Sequence, residues 1–315
     1  MFKVLLYDGG VYRSDELYEM IDDVGGAILQ KTRSSQLLSV TMSVPEEDEG
    51  MFRELCKDMG GELKSVPLAG TEIAVVGPTL GRHHMPHPIC DIAEHLRRQG
   101  AITVVMGLAR GRGKGTAQIN LMERGIIEEY DAAVFSLGNF KSCVEAKTDL
   151  FKDISVPVVL VAGPSPDGID DTCYAIVSGV GRKASRMRSS AEIKKLMEVS
   201  SRVEDAIRDR ASMIEEDPLY VSPSDVKQVL EGYEPINLCL RPAPIVLHLD
   251  GMRVKVGYDE HHEAIEDMTV YGERLGDICR ITPSKINDSS MLIRIKSVSE
   301  VEYERSLVAD KGSKA

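Results

Sequence analysis

The chain contains no tryptophan, and aromatic residues make up 5% of its 315 positions. Its cores must be built from aliphatic side chains and from 14 methionines, which fill irregular gaps well. Its 6 cysteines are too sparse for a disulfide scaffold, and no two stand in a CxxC spacing. That excludes a zinc ribbon and a ferredoxin-type cluster run within the chain. Any metal site must gather ligands from distant positions or from another subunit. No apolar run approaches the ~20 residues of a membrane span, so no membrane partner is expected. A surplus of cationic residues is missing too. The formal net charge is −12, which a phosphate backbone would repel, so nucleic acid is not an expected partner.

What is present has the balance of a soluble globular protein, with 43% apolar and 28% charged residues. The opening MFKVLLYDGG reads as a strand rather than a signal peptide, so a cytoplasmic protein is expected. The length supports two or three domains.

Three stretches differ in pattern. Residues 1–70 read strand, helix, strand, strand, helix, strand, the βαββαβ order of a ferredoxin-like α+β domain. Cys56 falls on the apolar face of the second helix and reads as core. Residues 71–218 alternate short β-rich runs (EIAVVG, AITVVMGLA, DAAVFSLG, VPVVLVAG) with helical patterns, which predicts an α/β domain built on a doubly wound parallel sheet. A long amphipathic helix from Ser189 to Asp217 closes it, with Ile193, Leu196, Val203, Ile207 and Ile214 on one stripe; packing on its own domain is the expectation and a partner-binding helix the alternative. Residues 219–315 read as a small β-rich module. It has a capped helix at VSPSDVKQVL, a hairpin PIVLHLDGMRVKVGY with Asp250-Gly251 at the turn, strands at TVYGERL, DICRITP and SMLIRIKSV, and a frayed tail KGSKA.

In such a parallel sheet the carboxyl ends of all strands share one edge, and ligands bind in the crevice there. The first strand feeds GPTLGRHHMPHP, with Cys90 at the start of the next helix; the third feeds GNFKSC, with Cys143 at another helix start. Cys173 comes late in the loop after the fourth strand and is placed with them as a further candidate. Three of the 7 histidines, His83, His84 and His87, stand in that first loop. Thiolates are favoured at helix N-termini, and imidazole adds a ligand suited to iron or zinc. Small residues filling space where helix meets strand would suit Cys90 and Cys143 equally, and the residues alone leave both readings open.

The second loop, GLARGRGKGT, invites a phosphate-loop reading and fails it. Leu108 stands where the first glycine belongs, and Gly115 stands where Ser or Thr would hold magnesium. ATP hydrolysis is thereby excluded for this chain. What remains is a cationic loop of Arg110, Arg112 and Lys114 suited to an anion, a cluster or an acidic protein surface. His261-His262-Glu263 lacks the spacing of HExxH and reads as a solvated loop, and nothing local makes ligands of Cys239 and Cys279.

The stretches GRHHMPHPICDIAEHLRRQGAITVVMGLA, SLGNFKSCVEAK and ISVPVVLVAGP resemble the methanogenesis marker protein 7 family. Over residues 75–182 the chain is also similar to the C protein of the methyl-coenzyme M reductase operon, a shorter chain with a comparable GR-x-H-x3-P-x-C element. The resemblance implies a non-catalytic subunit of the assembly in methane-forming archaea that reductively activates methyl-coenzyme M reductase, bringing its nickel tetrapyrrole to Ni(I). It implies iron–sulfur clusters of a complex type, shared with partner subunits. Those partners are sister methanogenesis marker proteins, the operon C protein, an ABC-type ATPase subunit and methyl-coenzyme M reductase itself. ATP handled by a separate subunit agrees with the failed phosphate loop. Residue by residue, His84 and Cys90 fall on the shared element, whereas Cys143 has no thiol counterpart in the operon C protein. The metal-ligand candidates are then Cys90, Cys143, His84, Cys173 and His83, with Arg110, Arg112 and Lys114 on the cofactor side. A cofactor-free scaffold of the same assembly is the alternative.

Overall fold

The computed structural model describes residues 2–78, 89–108, 118–138, 141–166, 172–180 and 190–312, and at 142, 143 and 308–312 it describes the backbone. The chain falls into two compact units. One is Met1–Gly70 with Leu96–Ala101, and the other is Thr71–His95 with Ile102–Ala315.

The first unit runs β1 (Phe2–Gly10), α1 (Ser14–Asp23), β2 (Ala27–Arg33), β3 (Leu37–Pro45), α2 (Glu49–Asp58) and β4 (Glu62–Ser65). Its antiparallel sheet has the order β2-β3-β1-β4. Leu38, Val40, Met42 and Val44 are buried at every second position of β3, and Phe52 and Cys56 are buried four residues apart on α2. Burial pushes the Cys56 thiol up to about 11, as befits a core residue.

The second unit holds a five-stranded parallel sheet built from β5 (Glu72–Gly77), β6 (Ile102–Gly107), β7 (Ala132–Ser136), β8 (Val158–Ala162) and β9 (Ala175–Ser178). Their order is β6-β5-β7-β8-β9, so the chain winds one way from β5 to β6 and then reverses to β7. With right-handed crossovers, that reversal puts helices on both faces. Every residue of β5, β7 and β8 is buried, which is why these runs carry almost no charge. The helices between the strands are α3 (Ile89–Arg98), α4 (Leu121–Ile127) and α5 (Lys141–Glu145). An Asn120–Glu123 capping box starts α4, each side chain meeting the other residue's backbone N–H at 2.8 and 2.9 Å.

The long helix α6 (Ser190–Glu216) packs on β7, β8 and β9 through Leu196, Val199, Val203, Ala206 and Ile207. The stripe read from the sequence is corrected at its first member, since Ile193 is 47% exposed.

The remaining elements are α7 (Pro223–Glu231), α8 (Glu234–Asn237), β10 (Ile245–His248), β11 (Gly251–Val254), α9 (Tyr258–Glu266), β12 (Thr269–Val270), β13 (Glu273–Arg274), α10 (Leu275–Ile278), β14 (Cys279–Pro283), β15 (Met291–Ile295) and α11 (Val298–Gly312). Four strands form an antiparallel sheet of order β10-β11-β15-β14. His248 pairs with Gly251, so Leu249 and Asp250 make the hairpin turn and Gly251 already belongs to β11. Two readings are corrected here. The HHE stretch is helical, lying on α9, where the His262 ring stacks on Tyr258 at 4.3 Å and His261 Nδ1 meets the Tyr233 hydroxyl at 3.1 Å. The described residues also close on a helix, α11, where the sequence shows no stripe to mark one.

Ser222 caps α7, its Oγ accepting from the Asp225 N–H at 3.1 Å, and Pro223 follows at the first helical position. Ser222→Ala is expected to destabilise the chain by about 1 kcal/mol in a denaturant titration. An unchanged midpoint would mean that water replaces the cap without loss.

Candidate functional site

The C-terminal edge of the parallel sheet is level, since Gly77 at the end of β5 stands beside Gly107 at the end of β6. Strand order reverses about β5, between β6 on one side and β7 on the other, so the crevice that such sheets offer to ligands lies between the ends of β5 and β7. The segments leaving these two ends lead to α3 and α5. They carry the histidine loop and the GNFKSC loop.

Cys90 is the second residue of α3 and is exposed. Ile89, Ile92 and Ala93 are buried on the inner face of the helix, which turns Cys90 outward. Cys143 is the third residue of the short helix α5, so its backbone stands at the same edge. His83, His84, His87, Arg110, Arg112 and Lys114, and the side chain of Cys143, lie outside the described residues.

Cys173 does not join this group. Tyr174 N–H donates to the carbonyl of Val158, the first residue of β8, at 2.8 Å, so Cys173 precedes β9 at the N-terminal edge of the sheet. A strand of that length separates it from the opposite edge by ~16 Å. The position of Cys173 before β9, which runs parallel to β8, is something that spacing alone does not reveal. Cys279 is buried, and burial pushes its thiol up to about 12. Cys239 is half-buried, with its Sγ donating to the Lys255 carbonyl at 3.5 Å.

The sequence reading missed a buried polar cluster at the N-terminal edge. Glu72 opens β5, and Glu129 and Asp131 lead into β7. His248, Asp250 and Arg253 come from the β10–β11 hairpin. Asp131 is fully buried, and its two oxygens accept from the backbone N–H groups of Glu72 (2.8 Å) and Leu249 (3.0 Å). Arg253 donates to Glu72 through Nε (2.9 Å), and through Nη1 to Glu129 (2.8 Å) and Ser284 (2.8 Å). The Ser284 hydroxyl donates in turn to Glu129 (2.8 Å). His248 Nε2 lies 3.0 Å from Glu72 Oε2. Arg210 and Arg294 both donate to Asp250.

Electrostatics decide the charge states here. Burial alone would push the Glu72 carboxyl up, but the hydrogen bond to His248 and the Arg253 charge outweigh it and hold it below the usual range. Asp250 is likewise held low, with burial overcome by Arg294 and Arg210. Arg253 is raised, because Glu72 and Glu129 outweigh the cost of burying it.

These features define an open-sheet α/β protein with an exposed cysteine at its ligand edge and a polar lock at the other. The chain belongs to the methyl-coenzyme M reductase operon protein C family, whose model matches residues 2–268. It is 40% identical over 305 residues to an uncharacterized protein of Methanocaldococcus jannaschii, a match covering 96% of this chain and 97% of that one. It is 26% identical over 99 residues to the methyl-coenzyme M reductase operon protein C of Methanosarcina barkeri, covering 29% of this chain and 48% of that protein. Among the described residues no helix is long and apolar enough to cross a membrane.

Proposed function

We propose that this chain is a subunit of the cytoplasmic, ATP-dependent assembly that reductively activates methyl-coenzyme M reductase, and that Cys90 is its ligand to an iron–sulfur cluster shared with partner subunits. The observation that carries this is the exposed thiol of Cys90 beside the strand-order reversal, in a chain of the methyl-coenzyme M reductase operon protein C family.

The donors fit one wall of a cluster rather than a complete site. Cys56 and Cys279 are sequestered in cores, Cys173 lies at the other edge, and Cys239 is occupied by a carbonyl. Cys90 and, by its position, Cys143 remain, short of the four thiolates that common clusters take. His83 and His84, a few residues before α3, supply borderline nitrogen ligands, and Arg110, Arg112 and Lys114 follow β6 as counter-charges for an anionic cluster or an acidic partner. A bound cluster supplies one-electron transfer; the residues of this chain hold it, orient it and present it to neighbours. Those neighbours are the sister marker proteins, the operon C protein, the ABC-type ATPase subunit and the reductase.

Anaerobic isolation of the native complex, with iron, sulfide and visible absorption measured, tests the reading. Cys90→Ser is expected to lower iron and sulfide per complex and to slow activation, and Cys143→Ser to do so to a lesser degree. An iron-free complex that still activates the reductase would overturn it. Complexes of Cys90→Ser with unchanged iron and activation would do the same, leaving the cofactor-free scaffold.

A further inference from the structure

We infer that Asp131, His248 and Asp250 form a binding site for one divalent transition-metal ion at the N-terminal edge of the parallel sheet. A ring nitrogen of His248 and one carboxylate oxygen from each aspartate all lie within 4.8 Å of one another. The His248 side chain is 0% exposed, and its Nε2 is taken up by Glu72 at 3.0 Å. Its Nδ1 is buried and has no hydrogen-bond partner among the described residues. An imidazole nitrogen stripped of water and left bare is costly, so the cluster calls for an electrophile there. Donors bonded to one ion at ~2.0–2.2 Å stand up to ~4 Å apart, so atoms within 4.8 Å of one another need draw in by no more than about 1 Å to share it.

The surroundings match what metal sites use to fix their ligands. With Nε2–H donated to Glu72, the lone pair rests on Nδ1, the carboxylate–histidine arrangement that orients a ligating imidazole. Asp131 is held by two backbone N–H groups, and Asp250 by Arg210 and Arg294. Each of these oxygens keeps a second lone pair for an ion. Four carboxylates, Glu72, Glu129, Asp131 and Asp250, meet three guanidiniums, Arg210, Arg253 and Arg294, so the carboxylates outnumber the guanidiniums here. Asp250 sits in the hairpin turn with its side chain 25% exposed, which gives an ion its way in.

One imidazole and two carboxylates suit a borderline ion such as zinc, manganese, iron or cobalt rather than a soft one. Three protein ligands leave at least one position for water. The ion would tie the hairpin turn to the start of β7, independently of any chemistry at the opposite edge. Glu72 is then a positioning residue, acting through His248.

Cobalt is the probe, because its visible bands report ligand type. Purified full-length chain, stripped with chelator and titrated with Co2+, is expected to bind one equivalent. The d–d absorption should appear without thiolate charge transfer, and the melting temperature should rise with free Co2+. Asp250→Asn is expected to weaken binding at least tenfold and Glu72→Gln to weaken it 10- to 100-fold, with the far-ultraviolet circular dichroism of the folded chain retained. Should Glu72→Gln fail to fold, Asp250→Asn in the partly exposed turn and the wild-type titration still decide. Folded wild-type chain that takes up no stoichiometric Co2+, Zn2+ or Mn2+ overturns the site. So do thiolate charge-transfer bands on Co2+ binding, or binding that Asp250→Asn leaves unchanged.

Discussion

Arg253→Met is expected to destabilise the chain by roughly 3–5 kcal/mol, because it strips the guanidinium from two buried carboxylates at once. Arg253, Glu72 and Glu129 are each about 95% buried, so water cannot replace the guanidinium at Glu72 and Glu129. The cost comes from what is left behind, not from the bond that is lost. The companion variant makes that separable: Glu72→Gln and Glu129→Gln added to Arg253→Met remove the orphaned charges and should recover much of the loss. Urea denaturation of both proteins measures it. A cost below about 1 kcal/mol for the single variant would mean the cluster is already wet and its charges already screened.

Gly251→Ala is expected to cost on the order of 3 kcal/mol, and for a steric reason. A Cβ at this position would stand 2.0 Å from the Ile293 carbonyl oxygen and 3.1 Å from the Arg294 Cα. Both are backbone atoms of β15, where Arg294 pairs with Gly251 itself and Ile293 with Met252, so neither can swing aside as a side chain would. The strands must part locally, and with them Arg294 leaves Asp250. Gly50→Ala is the contrasting case. Gly50 is the second residue of α2 with open space where a Cβ would stand, so alanine there should stabilise by up to about 0.5 kcal/mol. Thermal unfolding of the two variants, moving in opposite directions, checks the argument; equal shifts of one sign would contradict it.

The elements that read easily from the sequence are those whose burial follows a simple period. EIAVVG and VPVVLVAG are buried on both faces and carry no competing signal, and α3 spans Ile89–Arg98 as its apolar spacing requires. The helix α11 was missed because Val301 is its one buried residue among those described, so no stripe marks it. Its capping box was nevertheless legible: Ser297 and Glu300 stand at the S-x-x-E spacing and exchange hydrogen bonds at 3.1 and 3.3 Å. HHE looked like a loop because acids flank it, yet α9 needs only Ile265 buried to hold.

The polar cluster is hidden for a different reason. Glu72 and His248 are 176 residues apart, and nothing local couples them. A trace did exist: His248 sits in the apolar run IVLHL and Arg253 in GMRVKV, on strands where every position is buried. A charged or titratable residue on such a strand must find a partner. The Cys90 edge was legible for the opposite reason, because parallel topology alone assigns it. Topology also removed Cys173, once β9 was seen to run parallel to β8.

The lock at the strand starts has a mechanical corollary for the other edge. β5 and β7 are clamped where they begin, through Asp131, Glu72 and the hairpin, so their opposite ends leave from a frame whose register is fixed. A partner that meets the Cys90 edge therefore meets strands that need not slide to receive it. The sheet thus behaves as a cantilever, anchored at one end and reaching with the other, and its free end is where Cys90 stands.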